Sequence, residues 1–161
     1  MARPPASSKA ALQRMQRQAR RDTGPELALR QELHRLGLRY RIDRAVLPGF
    51  RRRADVVFGP AKVAVFVDGC FWHVCPLHST QPKANAEWWR DKLARNVLRD
   101  RQTDAKLTAA GWFVIRSWEH EEPAAVALSV AATVRMRRPP GHSHGVSWES
   151  ALRSRDLVDQ R

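Results

Sequence analysis

Apolar positions along the chain follow two rhythms, and the switch between them marks out its elements. Leu29, Leu33 and Leu36 recur at helical spacing behind Thr23-Gly-Pro-Glu26, which has the form of a capping box with proline in the first turn. Gly37 supplies a C-terminal stop, so the spacing predicts a helix over 24–36. LRYRI (38–42) alternates and predicts a strand with Leu38, Tyr40 and Ile42 on one face. ADVVF (54–58) and KVAVFV (62–67) are short apolar runs split by Gly59-Pro60, the pattern of a hairpin of buried strands. Helical spacing returns over 84–110, where Trp89, Leu93, Val97 and Leu107 form a stripe that Gly111 closes. WFVIRSW (112–118) is a further strand, followed by a short helix over 123–136. The expected fold class is α/β, a mixed central sheet flanked by helices.

Composition narrows the partner. The chain has 161 residues and 43% hydrophobic content, enough for one domain with a real core. Its formal net charge is +13, and residues 1–21 contain no acidic side chain. Such an imbalance points to a polyanion, with nucleic acid the commonest; general solubility is the competing explanation. The expected layout is a basic, partly flexible arm (1–22), a folded domain (23–138) and a flexible polar tail (139–161). No apolar run approaches the roughly 20 residues that cross a bilayer, and no secretory signal is visible. A cytoplasmic, nucleoid-associated monomer without a membrane partner is the expectation.

Two groups of residues carry candidate chemistry. Asp55 heads an apolar strand, where a buried carboxylate is costly unless it is paired or holds a cation. Asp68, at the end of the next strand, could stand near it across the hairpin, and two such oxygens suit Mg²⁺. The alternative is a turn aspartate paired with Arg51, Arg52 or Arg53. In VDGCFWHVCPLH (67–78), Cys70, Cys75 and His78 offer three sulfur or nitrogen donors, and His120 could add a fourth. Four such ligands make a closed structural zinc site; buried thiols and surface histidines are the alternative. Phe71 and Trp72 are adjacent in that loop, and neighbours in an extended loop cannot both point inward. On a basic protein they could be wedges between base steps, with Met15 of the arm another. Lys92 and Asn96, four apart on the long helix, share a face; spacing alone makes them ordinary polar surface.

PGFRRRAD (48–55), FVDGCFWH (66–73), NAEWWRDKLARNVLRDR (85–101) and GWFVIRSWEHE (111–121) together resemble the very-short-patch-repair mismatch endonucleases, in the same order from about Met15 to Met136. The resemblance implies a restriction-endonuclease-like core with structural zinc, and nicking of double-stranded DNA beside the T of a G:T mismatch left by 5-methylcytosine deamination. Asp55 would ligate catalytic Mg²⁺ with the backbone carbonyl of Val67, and His73 would act on the attacking water. Glu26 would hold a metal-bound water, besides serving the helix cap. Phe71, Trp72 and Met15 would intercalate beside the mismatch, and Lys92 and Asn96 would contact its bases. Zinc would fall to Cys70, Cys75, His78 and His120. The family pattern has histidine at the position of Cys75 and cysteine at those of His78 and His120, an exchange that keeps four nitrogen or sulfur donors. Asp68 stands where a histidine can precede the Gly-Cys, and it would instead contribute to the magnesium site.

Overall fold

The computed structural model describes Gln13 and residues 21–138. Most of the arm, including Met15, and the tail from 139 onward lie outside the described residues. Helix α1 (Gly24–Arg35) leads into strands β1 (Arg41–Ala45), β2 (Arg53–Phe58) and β3 (Val63–Asp68). Helix α2 (Ala86–Ala109), strand β4 (Phe113–Trp118) and helix α3 (Pro123–Arg137) follow. The strands form one four-stranded sheet in the order β1-β2-β3-β4. β1, β2 and β3 run antiparallel in succession, and β4 joins β3 in parallel after the α2 crossover. The sheet is mixed, as the apolar pattern implied.

Two apolar clusters flank it. Leu29, Leu33, Val56, Phe58, Val63, Val65, Val130 and Val134 join α1 and α3 to one face. Ala64, Phe66 and Val57 meet Leu107 of α2 on the other, with Trp112 and Val114 packed beside them. Both helix ends marked by glycine are confirmed. Gly37 and Gly111 take φ of 72° and 81°, a region that costs a glycine nothing.

Two local expectations need correction. The first strand begins at Arg41 rather than Leu38, and Ile42 is 43% exposed instead of sharing the core face of Leu38 and Tyr40. β1 is an edge strand, and Asp43 at its centre has φ of 45°, which breaks the alternation. The cap of α1 is also not the reciprocal box. Thr23 makes no side-chain bond to a backbone N–H; its hydroxyl donates to Glu26, whose other oxygen accepts from the Asp22 N–H.

The ladder between β2 and β3 positions the site. Its pairs run from Phe58–Val63 to Val56–Val65 and stop there. One residue further, the Asp55 carboxylate accepts the Val67 N–H at 2.8 Å, a bond the backbone of β2 no longer takes. β3 and β4, by contrast, stay paired as far as Asp68–Trp118. The strands β2 and β3 therefore part at the end where the acidic residues gather.

Candidate active site and metal cluster

Asp55 is half-buried at this parting. Arg53, two residues earlier, pairs with Asp43 at 2.7 Å, and among the described residues Asp55 has no ion pair. The arginine alternative is thereby removed. Burial pushes the Asp55 carboxyl up to about 6, against the pull of the Val67 N–H, and the charges of Glu26 and Asp68 add to the rise. The charge of Arg30 pulls the other way without reversing the shift, so this half-buried carboxylate would be favoured in its ionised form by a cation.

Val67 fits the same place. The Asp68 carbonyl accepts the Glu119 N–H, on the β4 side. In an extended strand the N–H and C=O of one residue face the same way and alternate from residue to residue. Val67 thus turns both groups toward β2, where Asp55 stands.

Glu26 sits at the mouth of α1, buried and paired with buried Arg30 at 2.9 Å. Both of its oxygens are engaged, by Arg30, Thr23 and the Asp22 N–H. Asp68 is buried as well, and Arg116 donates to both its oxygens at 2.7 and 2.9 Å.

His73 comes from the turn after β3. Its Nδ1 lies 2.6 Å from Asp100 of α2 and 3.5 Å from Asp68. Burial opposes a charged imidazole there, but Asp100 and Asp68 outweigh it, and the His73 pKa is raised. Asp68 links the two halves of the site: its charge reaches Asp55, and its oxygen lies beside His73. Asp100 was not singled out in the sequence. It extends Lys92-x3-Asn96 by another four residues, so the helical period carried the signal.

The loop that presents His73 is compact. His73 N–H donates to Gly69, Cys75 N–H to Cys70 and Ser79 N–H to Cys75, so the chain coils rather than extends. Phe71 and Trp72 consequently meet edge to face at 5.1 Å between ring centres, and both contact Trp89 of α2. Half-buried in one aromatic cluster, they do not stand apart as an extended loop would require. Asn96 is buried instead of lying on the surface: its amide donates to the Trp72 carbonyl at 3.1 Å and its oxygen accepts from Arg99. Lys92 is half-buried one turn earlier, without a carboxylate partner among the described residues.

Cys70, Cys75, His78 and His120 converge, with one donor atom from each lying within 4.8 Å of all the others. Cys70 Sγ is 3.1 Å from His120 Nδ1, and Cys75 Sγ is 3.9 Å from His78 Nδ1. Both cysteines are free and buried. Burial, Cys75 and Glu119 push the Cys70 thiol up to about 11, an environment that a bound cation would invert. Two sulfurs and two ring nitrogens at this spacing fit a four-coordinate soft or borderline metal.

The family model described as "DNA mismatch endonuclease Vsr" matches residues 7–78. "Type II nicking enzyme V.NaeI" of Lentzea aerocolonigenes is 54% identical over 110 residues, 67% of this chain and 66% of that protein. "Type II nicking enzyme V.XorIIP" of Xanthomonas oryzae is 39% identical over 108 residues, 66% of this chain and 77% of the relative. The chain belongs to the Vsr family of DNA endonucleases. "DNA mismatch endonuclease Vsr" of Escherichia coli is also 39% identical, over 103 residues covering 63% of this chain and 64% of the relative. The matched part thus spans a little under two thirds of V.NaeI and of the Escherichia coli protein, and more of V.XorIIP. Within the Vsr family frame, the parting of β2 and β3 and the His73 turn form the candidate active site. Among the described residues no helix is long and apolar enough to cross a membrane.

Proposed function

We propose that this Vsr-family protein nicks double-stranded DNA on the 5' side of the T of a G:T mismatch, by Mg²⁺-dependent hydrolysis on a restriction-endonuclease-like core. The observation that carries the hydrolytic part is Asp55: a half-buried carboxylate with no ion pair among the described residues, within the field of Asp68, which itself lies beside a histidine that a further aspartate orients. Asp55 and the Val67 carbonyl would hold the ion, which supplies positive charge at the phosphate and makes bound water more acidic. Asp100 keeps the Nδ1 of His73 engaged, so its Nε2 is the nitrogen left to take a proton from water. Glu26, its oxygens shared with Arg30, Thr23 and the Asp22 N–H, would hold a water bound to the ion.

Substrate choice belongs to the aromatic turn. Phe71 and Trp72, braced on Trp89, would enter beside the mismatch, with Met15 from the other side. Opening a base step costs a few kcal/mol, less where pairing is weak, and that difference becomes selectivity. Asn96 holds the turn by the Trp72 carbonyl, while Lys92, without a carboxylate partner among the described residues, would meet a phosphate or base. The cysteine–histidine cluster would bind zinc and brace the same loop.

The relatives called type II nicking enzymes favour a second reading on the same machinery, strand-specific nicking at a fixed sequence. The test is nicking of matched, G:T and other mismatched duplexes, with Mg²⁺ supplied or withheld. Cleavage confined to G:T with Mg²⁺ supports the proposal. Equal cleavage of matched duplex at one sequence favours the second reading, and cleavage undiminished by chelator removes the metal.

A further inference from the structure

Phe66, Asp68, Asp100 and Asp104 surround one side chain of β4 to which the sequence reading gave no role. Arg116 lies opposite Phe66 in the parallel ladder, with its guanidinium 4.7 Å from the centre of that ring. Its Nε meets both Asp104 oxygens at 3.0 Å, and one terminal nitrogen meets both Asp68 oxygens at 2.7 and 2.9 Å. The other terminal nitrogen is 3.6 Å from Asp100. Two of these carboxylates, Asp68 and Asp100, are the ones beside His73 Nδ1.

We propose that Arg116 is a positioning residue, which holds Asp68 beside the imidazole and away from Asp55, leaving Asp55 as the aspartate that takes the cation. This rests on the hydrolytic reading of the site given above. Asp68 directly follows Val67, whose N–H reaches Asp55, so the backbone brings both carboxylates to the end where β2 and β3 part. Divalent ions respond to the number of carboxylates offered, and a second one would tighten and reshape the site. A planar guanidinium stacked on Phe66 binds two carboxylates in fixed directions, whereas a lysine provides one point charge on a flexible stem. Asp68, placed where a histidine can stand in the family, is tolerated in the burial of this site because Arg116 faces it.

The full chain carrying Arg116→Met, Arg116→Lys, Asp68→Asn or the Asp68→Asn/Arg116→Met pair tests this. Two quantities are measured: Mn²⁺ affinity of the DNA-free protein by calorimetry, and single-turnover nicking across DNA concentrations. Arg116→Met is expected to bind Mn²⁺ about tenfold more tightly, because Asp68 is released. It should lower the saturated nicking rate by about tenfold or more, and move half-saturating DNA by less than about threefold. Adding Asp68→Asn returns the Mn²⁺ affinity to that of the unaltered chain without recovering the rate. Arg116→Lys restores affinity but not rate. Unchanged Mn²⁺ affinity in Arg116→Met overturns the proposal, as does a pure rise in half-saturating DNA, the mark of a phosphate contact. Should Arg116→Met fail to fold, Asp68→Asn alone decides: it leaves Mn²⁺ binding intact if Arg116 already sequesters Asp68, and weakens it if Asp68 is a ligand. The underlying hydrolytic reading fails separately, if Asp55→Ala keeps Mn²⁺ binding and nicking.

Discussion

Asp55 has its pKa moved in the direction opposite to that of a salt-bridged carboxylate, and the consequence for stability runs the other way too. Held at about 6 against an ordinary value of about 3.9, it binds its proton more tightly folded than unfolded. Its ionised form therefore destabilises the fold above pH 6, by roughly 3 kcal/mol at most, and the penalty fades between pH 6 and about 4. Asp55→Asn, which can still accept the Val67 N–H, should abolish nicking yet raise stability at pH 8 by about 1–3 kcal/mol. Urea unfolding at pH 8 and pH 4.5 checks this, since the gain should shrink at the lower pH. Asp100→Asn should slow nicking by at least about tenfold with DNA affinity little changed, because the imidazole loses the partner that fixes its proton. Equal loss of binding and rate would assign Asp100 to folding instead. Asp55 and His73 were readable from motif and resemblance. Asp100 and Arg116 were not, because their partners are far away in the chain: Asp100 lies 27 residues from His73, and Arg116 lies 48 from Asp68.

At the scale of elements, the helices and buried strands lay close to where apolar spacing put them, since their periods are set by burial on one face. The edge strand was misplaced because its side chains are mostly solvated and alternation there has little to enforce it. The long helix taught the subtler lesson. Its apolar stripe over Trp89, Leu93 and Leu107 was legible, but buried Asn96 and Thr103 share that stripe. Polar residues enter a buried face when they have partners, and a single sequence does not reveal the Trp72 carbonyl. Asn96→Ala should cost about 1–2 kcal/mol in thermal or chemical unfolding and loosen the aromatic turn, visible as altered tryptophan fluorescence. An unaltered emission spectrum would deny the tether its role.

For the whole molecule, a net charge of +13 bears on association more than on fold. DNA affinity should fall steeply with salt, by about two to four orders of magnitude between 50 and 200 mM, as measured by fluorescence anisotropy. A flat response would place the arginines outside the interface. Selectivity between duplexes should survive that loss better than affinity does, since phosphate contacts position the protein without reading sequence.

The cysteine–histidine cluster draws on both sides of the crossover, with Cys70, Cys75 and His78 after β3 and His120 after β4. Cys70 and His120 stand 50 residues apart in the chain. A cation held there would tie the chain after β3 to the chain after β4 and so latch the β3–α2–β4 unit. Chelated protein should therefore unfold faster, and its calorimetric transition should broaden as the crossover loosens ahead of the hairpin.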